Sequence, residues 1–290
     1  MLSSAVRPTA RLVAQAPQAA NMATLKEIQM RLKSIANIGK ITKSMKMIAS
    51  TKMSRAQRAM DAARVHGNAA AAVTVNAGTV ASDKPAGAFV AVSSDRGLCG
   101  GIHSSITKNI KRSFVAQGEP AQLVIIGDKC RTQLAREFRE KIALTYSQIG
   151  KSVPTFLEAS LIADAVLADK ELAASNIKIV YNKFVSVISY EAHHLAVVSE
   201  ESLKASPKLS AYETEGDVLQ DFHQFLFASS LHHALTEGHA SEFSARRSAM
   251  DNATKNAGDM VDRLTLLYNR QRQASITNDL VDIITGASAL

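Results

Sequence analysis

The chain has 290 residues, of which 46% are hydrophobic and 21% charged, with a formal net charge of +8. This composition is too apolar for an intrinsically disordered protein and leaves enough residues for one or two folded domains. No stretch approaches the roughly 18–20 consecutive apolar residues of a membrane-spanning helix, so we expect any membrane association to be peripheral.

The first 22 residues form a leader without acidic residues. It contains Arg7 and Arg11, and the first acid of the chain is Glu27. An Arg- and Ser-bearing segment of this kind is typical of a mitochondrial presequence, and we predict one over residues 1–22, with cleavage near Met22–Ala23. A disordered tail is the alternative interpretation.

Residues 23–84 are predicted to form a long N-terminal helix. They contain no proline, which would cost about 3 kcal/mol inside a helix. Large apolar residues recur at intervals of three and four, as in a helix that lies along a partner helix. This stripe comprises Leu25, Ile28, Leu32, Ile35, Ile38, Ile41, Met45 and Ile48, and more weakly Met53, Ala56, Met60 and Ala63.

The same segment carries the excess positive charge. Residues 26–64 include ten basic and two acidic residues, whereas the chain after Arg64 has 22 basic and 24 acidic residues. A basic helix can bind nucleic acid or an anionic membrane, and it can equally contact an acidic protein surface. Residues 26–64 contain no Phe, Tyr or Trp on which bases could stack, and both interpretations stay open at this point.

Residues 85–207 alternate between strand and helix patterns. Strand-like runs occupy residues 89–93, 123–127, 177–181, 185–190 and 195–199. Helical patterns occupy residues 102–114, 130–138 and 155–168. Strands and helices that alternate at these lengths predict a compact, Rossmann-like α/β domain with a mainly parallel sheet.

A glycine-rich loop, SSDRGLCGG at residues 93–101, follows the first predicted strand. A strand, a glycine loop and a helix can together hold a nucleotide phosphate. A P-loop requires Lys and Ser or Thr after its last glycine, but Ile102 and His103 stand there, and the glycine spacing fits no dinucleotide fingerprint. A structural loop in which Asp95 or Arg96 caps or pairs locally is favoured. We predict no catalytic residue, cofactor or metal site.

Residues 208–290 are predicted to form a second long helix, beginning near Asp217, with Gly238 as a plausible interruption. A seven-residue repeat marks the face toward a partner helix. It comprises Met260, Leu264, Leu267, Gln271, Ala274, Asn278 and Val281. Two helices separated in sequence by a folded domain can pair antiparallel. Because the repeat includes polar and small residues, the two helices should bury little surface against each other. We therefore expect a slender helix pair that is stabilised in part by contacts outside the chain.

Four blocks of sequence resemble the γ subunits of rotary ATP synthases, in their mitochondrial form. The blocks are residues 23–53 (beginning ATLKEIQMRLKSIANIGK), 93–105 (SSDRGLCGGIHSS), 244–257 (SARRSAMDNATKNA) and 268–290 (beginning YNRQRQASITNDLVD). This resemblance implies a long antiparallel coiled coil of the N- and C-terminal helices with the α/β domain inserted between them. It implies a central rotor shaft that couples proton flow to the conformations of the catalytic β subunits.

The resemblance also implies partners and a location. They are the hexamer of α and β subunits, the small stalk subunits δ and ε, and the c-ring, with one copy of this chain per complex at the matrix side of the mitochondrial inner membrane. Nucleotide chemistry then belongs to the α and β subunits, and no nucleic acid is involved. The alternative from the residues alone is a basic coiled-coil protein that binds nucleic acid or anionic lipid.

Six residues match family positions that meet the hexamer. By position, Met45 in KSMKM and Arg246 in SARRSAM resemble residues tied to coupling efficiency in the family. The other four resemble shaft residues that meet β-subunit loops, and they are Arg272, Gln273, Thr277 and Asp282. We therefore expect partner-binding roles at all six.

Overall fold

The computed structural model describes residues 25–79, 86–117, 121–150, 152–173, 175–212 and 218–288. The predicted presequence, residues 1–22, lies outside these ranges and stays a prediction. The described residues fall into two compact units, one within residues 39–256 and the other formed by residues 25–38 together with residues 257–288.

Twelve helices and strands follow one another along the described residues. In chain order they are α1 (Leu25–Asn76), β1 (Ala88–Val92), α2 (Ile102–Gln117), β2 (Gln122–Ile126), α3 (Asp128–Leu134), β3 (Ile142–Tyr146), α4 (Phe156–Leu167), α5 (Lys170–Ala173), β4 (Ile177–Phe184), β5 (Tyr190–Ala196), α6 (Glu200–Lys204) and α7 (Leu219–Ser288). Both predicted long helices are confirmed. The interruption predicted at Gly238 is wrong, because α7 runs through it. A glycine inside a helix costs only about 1 kcal/mol, which the packing of the neighbouring turns offsets.

The strands form one five-stranded sheet in the order β3-β2-β1-β4-β5. The pairs β3–β2, β2–β1 and β1–β4 are parallel, and β5 pairs antiparallel with β4 at one edge. From β1 the chain continues to β2 and β3 on one side of β1, and it then returns to β4 on the other side. The predicted Rossmann-like α/β domain with a mainly parallel sheet is confirmed.

The strand predictions fail at three places. Residues 185–189 join β4 to β5 as a turn, so the predicted strand at 185–190 is wrong. The predicted strand at 195–199 is also misplaced, because β5 ends at Ala196. The strand β3 was not predicted, since an edge strand with only one neighbour alternates half-buried and exposed residues and lacks a continuous apolar run.

The sheet is buried on both faces. On one face, α2 and α3 cover a cluster that includes Phe89, Ile106 and Leu123. On the other face, α4 and the first turns of α7 cover a second cluster, to which α7 contributes Phe227 and Leu231. The C-terminal helix is therefore part of the core of the α/β domain as well as a partner of α1.

Within residues 39–256, α1 and α7 pair antiparallel. Thr42 contacts Thr254 through their hydroxyls at 2.8 Å. Further along α1, the ammonium of Lys46 lies 2.6 Å from the carboxylate of Asp251, and Arg64 pairs with Glu237 at 2.7 Å. Numbers that rise along α1 fall along α7, which confirms the predicted antiparallel helix pair.

The buried face of α1 departs from the predicted stripe. Ile38, Ile41 and Ile48 are 52%, 57% and 58% exposed, so they do not form the seam. Within residues 39–256, small buried residues recur every seven positions instead, with two methionines between them. The small residues are Thr42, Ala49, Ala56 and Ala63, and the methionines are Met53 and Met60. Small side chains let two helix axes approach closely, whereas a row of isoleucines would hold them apart. Within residues 39–256, the part of the predicted stripe that packs is therefore the weaker one.

Among the described residues of the other unit, 25–38 and 257–288, burial is confined to few positions. Ile28 is 3% exposed and Ala257 is 7% exposed. The predicted seam positions Met260, Leu267 and Val281 are 49%, 46% and 50% exposed. The seven-residue repeat at this end of α7 therefore leaves about half of its apolar surface uncovered in the single chain.

Candidate partner-binding site

The glycine-rich loop at residues 93–101 is anchored by Asp95. One carboxylate oxygen of Asp95 accepts a hydrogen bond from the backbone N–H of Asp128 at 2.9 Å, where α3 begins. The other oxygen accepts from the backbone N–H of Gln148 at 2.7 Å. Asp95 therefore has the structural role predicted for this loop, but its partners are distant in sequence: it binds the first N–H of α3 and not the N-terminus of α2, which follows the loop.

Ligands of Rossmann-like domains bind at the carboxyl ends of the strands, where the strand order reverses. In this sheet that point lies between β1 and β4, and α7 fills it with Leu235, Gly238, His239 and Glu242. The cavity that remains there has a volume of about 30 Å³. This is room for about one water molecule, whereas small-molecule sites enclose roughly 300–1,000 Å³. The cavity that the described residues leave between β1 and β4 is therefore too small for a nucleotide.

A buried thiol lies beneath the loop and has a structural role. The sulfur of Cys99 is 3.0 Å from Nε2 of His103, whose Nδ1 lies 2.8 Å from the hydroxyl of Ser93. Burial raises the pKa of the Cys99 thiol to about 11, and burial lowers the pKa of His103. A neutral thiol and a neutral imidazole, with Cys99 only 1% exposed, do not form a nucleophilic pair.

Arg246 joins the loop to α7. Its guanidinium forms an ion pair with Glu242, one turn earlier on the helix, and the two side chains are 9% and 8% exposed. The same guanidinium donates to the carbonyl oxygen of Gly97 at 3.4 Å and lies 5.1 Å from the ring centroid of Phe243. Because a buried cation needs such partners, the side chain is held in one position between loop and helix.

Met45 and Arg246 line the same groove, which we name the cationic groove. It has a volume of about 350 Å³. Its lining consists of Met45, Ile48, Ala49, Lys52, Arg96, Gly97, Leu98, Phe243 and Arg246. Apolar side chains with cations among them suit a partner segment that carries both apolar side chains and carboxylates. The structure thus brings two of the six predicted site residues together.

Leu98 presents an apolar side chain at the groove although its backbone is strained. Its φ is +63°, a conformation that L-residues other than Asn and Asp rarely adopt, and its side chain is 62% exposed. Strained positions persist where the surroundings hold them, as Asp95 and Arg246 do here. This placement is typical of a contact residue, because burial of the side chain within the chain does not account for the strain.

The remaining four predicted residues lie on α7 in the other unit. Arg272, Gln273, Thr277 and Asp282 are all exposed. The hydroxyl of Thr277 donates to the carbonyl oxygen of Gln273 at 2.9 Å, within the helix. Apolar neighbours on the same stretch are exposed as well, namely Ile276 at 51%, Leu280 at 53% and Ile283 at 68%.

The sequence did not identify Glu242, Lys52 or Leu98 as site residues. The spacing of Glu242 and Arg246, four residues apart on a helix, was a usable signal for an ion pair. No local signal indicates Leu98, since its exposure and positive φ depend on how the whole loop is anchored. Lys52 lay within the basic segment without any feature that set it apart.

The comparisons with known proteins agree on one family. A family model described as ATP synthase matches residues 24–290. The γ subunit of mitochondrial ATP synthase from Yarrowia lipolytica is 46% identical over 293 aligned residues, covering 100% of this chain and 99% of the relative. The corresponding γ subunit of Rattus norvegicus is 43% identical and covers 92% of this chain and 100% of the relative. These matches do not favour the alternative of a basic nucleic-acid- or lipid-binding protein.

Solved structures with a similar fold come from the same kind of assembly. A chain in the central stalk and c-ring structure of Tetrahymena thermophila mitochondrial ATP synthase aligns with a TM-score of 0.62 and 27% identity, covering 73% of this chain and 99% of that one. A chain of the Euglena gracilis mitochondrial ATP synthase rotor aligns with a TM-score of 0.73, covering 87% of this chain and 99% of that one. At 18% identity, the second match supports the fold alone.

Proposed function

This chain belongs to the family of mitochondrial ATP synthase γ subunits, and we propose that it is the non-catalytic central shaft of that rotary complex. The proposal rests mainly on the family match over residues 24–290. A second support is the crevice at the carboxyl end of β1, where α7 leaves a cavity of only about 30 Å³. In this function the chain couples proton flow through the c-ring to successive conformations of the catalytic β subunits.

The partners that we propose are the α and β subunits, the small stalk subunits δ and ε, and the c-ring, with one copy of this chain per complex. The location proposed is the matrix side of the inner membrane, after removal of residues 1–22. No helix in the described part of the chain is both long and apolar enough to cross a bilayer. Residues 23–84 and 208–290 would then provide the shaft, and residues 85–207 most of the domain at its foot.

We propose that the cationic groove binds an acidic and apolar segment of a β subunit. The positive charge of Lys52 and Arg96 and the apolar lining from Met45 and Phe243 support this choice, whereas the charge of Arg246 is compensated by Glu242. The exposed residues Arg272, Gln273, Thr277 and Asp282 are proposed to contact β subunits as well. The exposed apolar side chains around them support a role in an interface, since contiguous apolar surface is typical of a protein contact site.

A tagged chain expressed in mitochondria tests the assignment. We expect detergent extracts to yield the tagged chain with α, β and c subunits in one complex, and N-terminal sequencing to start near Ala23. The purified complex should hydrolyse ATP and pump protons. A chain recovered without these subunits, but bound to DNA or cardiolipin vesicles with steep salt dependence, would support the alternative instead.

A pair of methionine variants tests the groove. Met45→Glu places a carboxylate in the cationic groove, where it would attract the lining cations and repel an acidic partner. Met47→Glu is the matched control, since Met47 is 60% exposed on the same helix and does not line the groove. We expect Met45→Glu alone to lower proton pumping per ATP hydrolysed. Equal effects of both variants would contradict a partner-binding role of the groove.

A further inference from the structure

Three polar residues on one face of α7 bind the backbone at the end of β4 and in the turn that follows it. A carboxylate oxygen of Glu237 accepts from the N–H of Phe184 at 3.3 Å. One turn later the hydroxyl of Ser241 donates to the carbonyl oxygen of Asn182 at 2.9 Å. The hydroxyl of Ser244 then donates to the carbonyl oxygen of Val187 at 2.5 Å. Spacings of four and three residues place all three side chains on the same helix face.

The helix α1 joins the same contact through Arg64. The guanidinium Nε of Arg64 donates to the second carboxylate oxygen of Glu237 at 2.7 Å. Its Nη2 donates to the carbonyl oxygen of Phe184 at 2.9 Å. Arg64, Glu237 and the peptide groups of Phe184 therefore form a closed ring of hydrogen bonds between α1, α7 and β4. We name Arg64, Glu237, Ser241 and Ser244 the polar joint.

Three of the four residues of the polar joint are buried, whereas the side chain of Arg64 is 33% exposed. Ser241 is 0% and Ser244 3% exposed, and the side chain of Glu237 is 1% exposed. The neighbouring apolar cluster includes Met60 and Phe243. Well-packed apolar residues in place of a buried ion pair often give equal or greater stability. Stability alone therefore does not explain polar groups at this contact.

Directionality distinguishes the polar joint from its apolar neighbours. Apolar burial depends on the area removed from water and not on orientation, so an apolar contact resists sliding or turning of a helix only through shape. Hydrogen bonds weaken steeply when the donor angle changes. Four such bonds run from the two helices to backbone groups of Asn182, Phe184 and Val187, and they fix both the rotation and the axial position of α7 and α1 against the sheet.

We infer that the polar joint transmits torque between the α/β domain and the two helices, with Glu237 as the positioning residue that holds it together. This inference rests on the proposed function as a rotor shaft. A torque applied to the α/β domain reaches the helices only if they do not slip against the sheet. Glu237 and Arg64 each contact all three elements, since Glu237 binds Arg64 and the N–H of Phe184, and Arg64 binds Glu237 and the carbonyl oxygen of Phe184. Of the two side chains, that of Glu237 is the more buried, at 1% exposed against 33% for Arg64.

Two variants of the intact complex test this inference. Glu237→Gln keeps the side-chain size but removes the charge that pairs with Arg64. The double variant Ser241→Ala with Ser244→Ala removes two directional bonds and leaves the ion pair in place. The matched control is Glu137→Gln, since Glu137 also pairs with a cation, Lys111, but with 56% of its side chain exposed.

The readouts are ATP hydrolysis and ATP-driven proton pumping in the same vesicles, and the torsional stiffness of single rotating complexes. We expect both joint variants to lower the torsional stiffness and the number of protons pumped per ATP. The rate of ATP hydrolysis should change by less than about twofold, which corresponds to well under 1.4 kcal/mol. A residue that only supports folding would lower the amount of complex and both activities in proportion. The control variant should match the unmodified complex.

Each outcome decides the question. If Glu237→Gln prevents assembly, the double serine variant carries the test, because it leaves the buried charges paired. If the variants that assemble keep the stiffness and the pumping ratio of the unmodified complex, the torque role of the polar joint is wrong, although the rotor function stands. If the unmodified complex does not pump protons, the proposed function itself fails.

Discussion

Alanine at three glycines of one unit separates backbone strain from steric conflict. Gly127 adopts φ 104° and ψ 130°, a region open almost only to glycine, and a Cβ there would lie 2.7 Å from the backbone nitrogen of Ser94. Gly100 has φ +64°, but its added Cβ would meet no atom within 4 Å. In α7, a Cβ on Gly238 would make an ordinary contact of 3.6 Å with Val92.

The expected changes in the free energy of unfolding differ in sign and in size. Gly127→Ala combines about 1–3 kcal/mol of backbone strain with about 1–3 kcal/mol for displacing packed backbone, so we expect a loss of about 2–6 kcal/mol in the free energy of unfolding. Gly100→Ala carries only the strain of a left-handed residue, about 1–2 kcal/mol. Gly238→Ala should raise the free energy of unfolding by up to about 1 kcal/mol, since alanine favours a helix interior over glycine.

Urea denaturation of the purified full-length chain, followed by circular dichroism, measures all three. The chain contains no Trp, so helix content is a better signal than fluorescence. The three positions lie within residues 39–256, and one transition reports on them together. The reasoning would be refuted if Gly127→Ala shifted the midpoint no further than Gly100→Ala, or if Gly238→Ala lowered it.

Three further predictions use the same chain. Phe227→Ala should lower the free energy of unfolding by about 3–5 kcal/mol, because this side chain is 0% exposed between the sheet and α7, whereas Val65→Ala, at 72% exposed, should change it by less than about 0.5 kcal/mol in the same urea titrations. Burial lowers the pKa of His239 from its ordinary value of 6.5, so on acidification the unfolded chain binds a proton at this side chain before the folded chain does. The free energy of unfolding should therefore decrease as the pH drops below about 6.5, and it should decrease less in His239→Gln. Burial raises the pKa of Cys99 from 9.0 to about 11, so the folded chain keeps the thiol proton to higher pH than the unfolded chain does. The free energy of unfolding should therefore decrease from pH 9 to 11, and it should decrease less in Cys99→Ala. Melting temperatures across that pH range measure both effects.

Much of the architecture could be predicted from local sequence signals. The absence of proline and the spacing of apolar residues indicate both long helices, and continuous apolar runs indicate the buried strands β1, β2 and β4. These signals work because a helix face and a doubly covered strand each impose their own period on the sequence. The edge strand β3 lacks such a run, and for that reason it could be found only in the folded sheet.

The candidate site was predicted only in part. Met45 and Arg246 were identified through the resemblance to a family, 201 positions apart in the chain, and nothing local indicates that they line one groove. Their meeting depends on the register between α1 and α7. That register is set by contacts such as Lys46 with Asp251, which join distant parts of the sequence.

The sequence by itself determined that two proline-free helices flank an α/β domain, and its blocks determined the family. Only the tertiary structure decided which face of α1 packs, because helix pairing selects small residues such as Ala49 and Ala56 over the larger and more apolar Ile41 and Ile48. Only the tertiary structure decided that α7 closes the crevice at the glycine-rich loop. The physical reason is the same in both cases: local patterns specify the elements, but close approach and burial depend on the partner that each surface meets.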